Sequence, residues 1–364
     1  MALNTLSAGD ALQQLESFDA IIDARSPGEF ALDHLPGARN WPSLNDQERI
    51  TIGTMYKQVS AFEAKKRGAA MVARNAAQHI ETHLLDTPKT WRPLLYCWRG
   101  GNRSGAQATI LSAIGFRVNL LEGGYKAFRA AMVADTLAQV ARLRFRVVAG
   151  PTGVGKTHIL HALAKQGHQV LDLEALANHR SSVLGLHPGQ TQPTQKHFEM
   201  RLWSALKVMD AEREVFIESE SKRVGNVSVP EALILAMRAS PCVRIDMPLP
   251  ERVRLLLRDY DHFVTDSASF AQRLDTLVTL LGHDTINAWK AAIDAGDTAG
   301  VVESLLSRHY DPRYFESMAR NFVQYHNSPT LIVVNGEADT LAAAAQAVAQ
   351  TQAPVSQALQ AIHD

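Results

Sequence analysis

A chain of 364 residues is long for one folded body, and two domains are expected. Lysine plus arginine and aspartate plus glutamate number 37 each, so bulk charge points to no nucleic-acid partner and any such surface has to be local. Cys97 and Cys242 are too few for a disulfide framework and suit a reducing cytosol. The first residues lack the basic and apolar regions of a secretion signal, and no apolar run approaches the ~18–20 residues of a membrane span.

Residues 20–24 read as a short buried strand. Residues 94–96 are another, delivering Cys97 at its C-terminal end, and small and apolar residues recur at helical spacing over 104–114. A strand over 118–121 precedes Gly123-Gly124, which makes this half a small α/β domain with a parallel sheet. Residues 125 to about 142 read as an Ala-rich helix. The junction falls near residue 140, giving domains 1–140 and 141–364 with no Gly/Ser-rich linker between them.

Residues 145–149 form the strand that feeds Gly150-Pro151-Thr152-Gly153-Val154-Gly155-Lys156-Thr157, and a helix leaves over 157–165. Further strands over 170–173, 215–218, 243–245 and 331–334 alternate with helices, the doubly wound pattern of a parallel sheet. Ser228-Val229-Pro230-Glu231 reads as a capping box with proline at the first helical position. Residues 251–320 are helix-rich, as an insert or lid, and 341–362 read as a terminal helix.

Two loops carry chemistry. In Cys97-Trp98-Arg99-Gly100-Gly101-Asn102-Arg103-Ser104 a thiol sits where a helix N-terminus offers free amides and a positive dipole end. Arg99 and Arg103 add fixed charge, and Gly100, Gly101 and Gly105 allow the loop to curl, which together favour thiolate and an anion. The spacing Cys97-x5-Arg103-Ser104 is also that of tyrosine-type phosphatases. Cys242 has no such company and reads as core.

The second loop is a complete P-loop, in which Gly150, Gly153, Val154, Gly155, Lys156 and Thr157 wrap a diphosphate and Thr157 can ligate Mg²⁺. Glu218 sits where a second acidic motif belongs, with Glu220 as competitor, and Asp172 and Glu174 end the preceding strand. His158 and His161 read as helix-surface residues.

Asp23-Ala24-Arg25-Ser26-Pro27-Gly28-Glu29-Phe30, His34-Leu35-Pro36-Gly37-Ala38-Arg39-Asn40 and Leu121-Glu122-Gly123-Gly124-Tyr125 resemble a rhodanese domain over roughly residues 10–135. The cysteine loop is one residue longer than the sulfurtransferase form, which suggests a bulkier, phosphate-centred anion. Further strings are Gly53-Thr54-Met55-Tyr56-Lys57-Gln58, Cys97-Trp98-Arg99-Gly100-Gly101, Gly150-Pro151-Thr152-Gly153, residues 172–180, residues 192–199 and Glu218-Ser219-Glu220-Ser221. With these strings, a rhodanese domain followed by a P-loop domain resembles the tRNA 2-selenouridine synthase family. Asn102 and Ser181 depart from the family's usual Met and Gly.

The resemblance implies a transferase that replaces sulfur by selenium in wobble 2-thiouridine of tRNA. Its donor is selenophosphate, and it works by way of S-geranylation from geranyl diphosphate. On this reading Cys97 takes selenium as a perselenide while Arg99 and Arg103 hold phosphate. No tightly bound cofactor is expected. Leu255-Leu256-Leu257 read as core, with an isoprenoid tail as the other reading.

Candidate tRNA contacts are Trp98, stacking on the target base, with Lys57, Lys65, Lys66 and Arg67; Arg142, Arg144 and Arg146, then Arg252, Arg254 and Arg258, are further basic groups. The rival readings are a Cys-dependent phosphatase or sulfurtransferase coupled to an ATP-using, kinase-like P-loop domain, and a non-catalytic nucleotide-regulated binding module.

Overall fold

The computed structural model describes residues 3–179, 191–261 and 266–351. They divide into two compact units, Met1–Ala138 with Thr194–Ser204, and Gln139–Pro193 with Ala205–Asp364. Ser181 and the end of the expected terminal helix lie outside the described residues.

The first unit is built on a parallel sheet in the order β1-β5-β4-β2-β3, with β1 Asn4–Leu6, β2 Ala20–Asp23, β3 Ala38–Asn40, β4 Pro93–Tyr96 and β5 Asn119–Leu121. The inner strands β2 and β4 are buried along their whole length, as strands covered on both faces are. Alternation splits β4 between two cores. Leu94 and Tyr96 pack with Leu35, Phe128 and Trp203, whereas Leu95 packs with Ile22, Trp41 and Leu111.

An antiparallel-type helical hairpin interrupts this sheet's connections: Asp46–Gln58, started by a capping box from Asn45 and Glu48, and Ala61–His83, capped by Ser60. Its contact stripe is small (Ala64, Gly68, Val72 and Ala76 are buried), and Ile52 rests on Gly68. The weak apolar signal of such a stripe explains why neither helix stands out in the sequence.

The second unit has a parallel sheet in the order β12-β11-β6-β8-β7, from β6 Arg144–Ala149, β7 Gln169–Leu171, β8 Glu214–Glu218, β11 Cys242–Asp246 and β12 Thr330–Ile332. β9 Arg223–Val224 and β10 Val227–Ser228 form a separate antiparallel pair. Three sequence expectations are corrected here. Strand β7 stops at Leu171 because Asp172 caps the helix Leu173–Ala177. Ser228 belongs to β10, so the helix Glu231–Ala239 begins after Pro230 with no capping box from Ser228. Strand β12 ends at Ile332.

The helix-rich part has its own core around Val253, Phe270, Trp289 and Leu305. Among the described residues no helix is long and apolar enough to cross a membrane.

Candidate active sites

The cysteine site belongs to the first unit. Cys97 follows β4, at the C-terminal edge of the sheet, and the helix Asn102–Ile114 starts at Gly101. Gly100 and Gly124 make the loop possible. Both have left-handed backbone, at φ 65 and 58. A Cβ on Gly124 would lie 2.3 Å from the Cys97 carbonyl oxygen and 2.4 Å from the Gly100 nitrogen, and one on Gly100 would lie 2.6 Å from the Leu121 carbonyl. The interlock is closed when Tyr125 N–H donates to the Cys97 carbonyl (2.8 Å) and Lys126 N–H to the Trp98 carbonyl (3.1 Å). Gly101 has φ −99 and, like Gly105, open space around it, so neither glycine is needed for the curl.

Cys97 is buried. Burial alone raises a thiol's pKa, but the Ser104 hydroxyl and amide, the Arg103 charge and the Arg99 amide outweigh it, and the net shift is downward. Ser104 is fully buried and its Oγ has no hydrogen-bond partner of regular geometry, so a donor is left waiting beside the sulfur. Arg103 Nη1 pairs with Glu29 Oε2 at 2.6 Å and its carbonyl accepts from Ser43 Oγ at 2.9 Å, so both its ends are positioned. The Glu29 carboxyl resists burial and is held below its ordinary range by Arg103. Arg99 is exposed.

A buried polar floor lies under this sheet edge. Arg25 pairs with Asp23 at 2.6 Å and sits 4.2 Å from the Tyr125 ring centroid. Tyr125 donates its hydroxyl proton to Asp33, whose other oxygen lies 3.4 Å from His197 Nδ1. Arg129 pairs with both Asp33 and Glu199. His197 and Glu199 come from sequence far beyond the first domain's expected end, and only the resemblance over residues 192–199 drew notice to them. Trp98, a candidate for stacking on the target base, is half-buried and stacks on Tyr125 at 5.3 Å and 24°, with Lys196 Nζ 5.7 Å from its ring.

The phosphate site belongs to the second unit. The loop joins β6 to the helix Lys156–Lys165 through Gly155, at φ 82, and Gly153 is likewise left-handed at φ 85. A Cβ on Gly153 would lie 2.9 Å from Leu256 and one on Gly155 2.7 Å from Leu341. Val154 is buried in the unit's core. Lys156 Nζ donates to the Gly150 carbonyl at 2.7 Å. Burial pushes the Lys156 ammonium down, against the pull of Glu220, Glu174 and Glu218.

Those three carboxylates offer oxygens within 4.8 Å of one another. Thr157 Oγ1 donates to Glu174 Oε2 at 3.2 Å, and Glu218 Oε1 accepts from the Glu174 amide at 3.0 Å. Burial and the neighbouring carboxylates hold the Glu218 carboxyl well above its ordinary range. Hard oxygen donors around a charge-frustrated pocket fit Mg²⁺. Asp172 adds its charge to the shift at Glu218, while it accepts from Ala175 N–H as a helix cap and pairs with His161 at 3.0 Å. His158 pairs with Asp259 at 2.8 Å, so both histidines have carboxylate partners. Tyr314 was not legible from sequence: its hydroxyl accepts from the Gly150 amide at 2.5 Å and lies 3.2 Å from Ser219 Oγ.

Several basic candidates have partners within the protein. Arg252 is buried, pairs with Asp311 and donates twice to the Thr152 carbonyl, at 2.9 and 2.7 Å. Arg254 pairs with Glu251 and Arg258 with Glu337. Arg142 holds the Met209 carbonyl, Arg144 that of Glu212, and the buried Arg146 pairs with Glu214. Leu255 is core, with Leu256 and Leu257 packed against the helical cluster. Cys242 is core too, its thiol pushed up by burial to about 11. Lys57, Lys65, Lys66 and Arg67 stay exposed on the helical hairpin, with Lys66 paired to Glu63.

A rhodanese-like domain model matches residues 7–131, and a model described as the tRNA 2-selenouridine synthase AAA domain matches 143–279. A tRNA 2-selenouridine synthase of Nitrosomonas europaea is 37% identical over 260 residues, 70% of this chain and 66% of that protein. One from Bdellovibrio bacteriovorus is 36% identical, over 66% of this chain and 64% of its own length. One from Shewanella piezotolerans is 32% identical over 346 residues, 86% of this chain and 93% of that protein. The matched stretch thus spans about two thirds of the first two relatives and nearly all of the third.

Proposed function

The chain belongs to the tRNA 2-selenouridine synthase family, and on that premise we propose that it exchanges the sulfur of wobble 2-thiouridine in tRNA for selenium. The observation that carries the reading is the pairing of a thiolate-favouring anion bowl at Cys97 with a complete P-loop in one chain. Selenophosphate is the donor. It is a tetrahedral dianion, and the bowl offers it the N-terminal amides of a helix and the Arg103 guanidinium. Geranyl diphosphate fills the P-loop, whose amides and Lys156 recognise a diphosphate and read no adenine. Glu174, Glu218, Glu220 and Thr157 would hold Mg²⁺, which would neutralise developing diphosphate charge. Geranylation turns a poor sulfur leaving group at the pyrimidine carbon into a better one, which selenium then displaces.

The tRNA docks on the helical hairpin. Residues 49–74 hold six basic residues against one acidic, in a chain whose charges balance as a whole. Tyr56 is 54% exposed and Phe62 67%, so aromatic faces stand among the cations, as surfaces for unpaired nucleotides require. The hairpin's root reaches the bowl: Arg49 lies 3.9 Å from Glu29, the carboxylate that holds Arg103.

The test is mass spectrometry of the wobble nucleoside in cells carrying Cys97→Ala or Lys156→Ala. S-geranyl-2-thiouridine should accumulate in the first and plain 2-thiouridine in the second. Normal selenouridine in either variant refutes the assignment.

A further inference from the structure

Selenophosphate carries selenium at the oxidation level of selenide. An S–Se bond on Cys97 would therefore require phosphorus to leave as phosphite, reduced by two electrons. The geometry points to a different bond: we propose that Cys97 Sγ attacks the phosphorus of selenophosphate, becoming S-phosphocysteine and releasing hydroselenide for the base. This step rests on the donor reading above.

The step balances without any further reagent. The thiolate forms S–P as P–Se breaks, and that bond's electron pair leaves with HSe⁻; phosphorus stays pentavalent. Water then attacks phosphorus, S–P breaks with its pair returning to Cys97 as thiolate, and dihydrogen phosphate leaves with the water's oxygen and both protons.

Three features carry the inference. First, Cys97 follows β4 at the head of the loop that runs into the N-terminus of the helix Asn102–Ile114, where free backbone amides and the nearby Arg103 guanidinium would bind phosphoryl oxygens. Because N–H donors bind oxygen in preference to selenium, an anion held by its three oxygens there keeps selenium as the free substituent, the arrangement that attack at phosphorus with selenium leaving needs.

Second, the Ser104 hydroxyl is fully buried and has no hydrogen-bond partner of regular geometry. A thiolate that must leave phosphorus in the second half-reaction needs such a donor, and the resting thiol does not. Third, Glu29 is tied to Arg103 and held ionised, so it offers no proton to a leaving group. Hydroselenide needs none, because hydrogen selenide is a strong enough acid to leave as its anion near neutral pH. The spacing Cys97-x5-Arg103-Ser104, read from sequence as phosphatase-like, then describes the chemistry of a selenophosphate-splitting step.

The experiment mixes the full chain with selenophosphate for one turnover, quenches it and analyses the Cys97 peptide by mass spectrometry, with ³¹P NMR of the products. Expected are a phosphoryl adduct on Cys97 and phosphate as product. In Ser104→Ala the adduct should persist about tenfold longer or more, as loss of a hydrogen bond to a charged leaving group implies. A selenium adduct with phosphite overturns the step. So does consumption of selenophosphate at full rate with no adduct in either protein, or by Cys97→Ser, and in these cases the donor reading survives. A chain that neither consumes selenophosphate nor binds inorganic phosphate overturns donor and step together.

Discussion

Substituting Gly124 by alanine tests whether the glycine interlock shapes the cysteine bowl. The new Cβ meets only backbone: the Cys97 carbonyl at 2.3 Å, the Gly100 nitrogen at 2.4 Å and the Arg99 nitrogen at 2.9 Å. No side-chain rotation relieves that. Left-handed backbone at φ 58 costs alanine about 1–2 kcal/mol, and the forced shift about 1–3 kcal/mol more. A loss of roughly 2–5 kcal/mol is a large part of the ~5–15 kcal/mol that holds a domain folded.

Gly37→Ala is the control, since Gly37 has φ 70 with nothing within 4 Å, so it carries the backbone cost alone. Urea unfolding of the full chain followed by tryptophan fluorescence separates the two. Of the five tryptophans only Trp289 lies outside the first unit. Selenium incorporation should fall on the order of 100-fold in Gly124→Ala, as for a reacting group displaced by about 1 Å, and stay near normal in Gly37→Ala. Equal unfolding midpoints, with selenium incorporation undiminished in Gly124→Ala, would refute the reasoning.

In Ser104→Ala the Cys97 thiol loses a stabilising donor, so its thiolate absorbance should appear at higher pH than in the unaltered chain, with Cys242 silent until about 11; an unmoved midpoint contradicts the assignment. Because the Cys97 pKa is depressed on folding, selenium transfer should be present above that lowered pKa and fall as pH drops through it, and a profile that rises toward acid would count against a thiolate nucleophile. Glu218→Gln should raise the thermal midpoint of the metal-free chain, by relieving like-charge repulsion, and abolish the further rise that Mg²⁺ gives; a preserved Mg²⁺ response would place the ion elsewhere. Replacing Lys57, Lys65 and Arg67 by alanine should flatten the salt dependence of tRNA binding, by close to one unit of log–log slope per lost phosphate contact, and an unchanged slope removes the hairpin from the interface.

Local chemistry was legible in the sequence wherever a residue's role depends on its neighbours in the chain. The strands before Cys97 and Gly150, the helices after them and the glycines at Gly153 and Gly155 are of that kind. The Gly123-Gly124 turn was visible as a motif, yet its use as the back of the cysteine loop depends on contacts between residues some two dozen positions apart. Asp172 serves twice. Its place after a strand suggests the acidic crevice, and its charge does act on Glu218, while an aspartate at that point is also a good helix cap and accepts from the backbone amide of Ala175. Tyr314 and Arg252 reach the P-loop from distant helices, and nothing local to them announces it. The exposed hairpin shows in the sequence as charge and not as structure, because small residues pack helices closely without writing an apolar stripe.

The segment Thr194–Ser204 has a consequence for synthesis. Trp203 stands edge-on to Phe128 at 5.7 Å and donates its Nε1–H to Asp135 at 2.8 Å, so the first unit's core includes a side chain encoded after the P-loop. The ribosome has to deliver the P-loop before that core can close. Until residue 204 emerges, the nascent chain carries Phe128 without its covering indole, and a gene truncated near codon 140 makes that state permanent. The core around the cysteine site is therefore complete only on chains that already carry the P-loop.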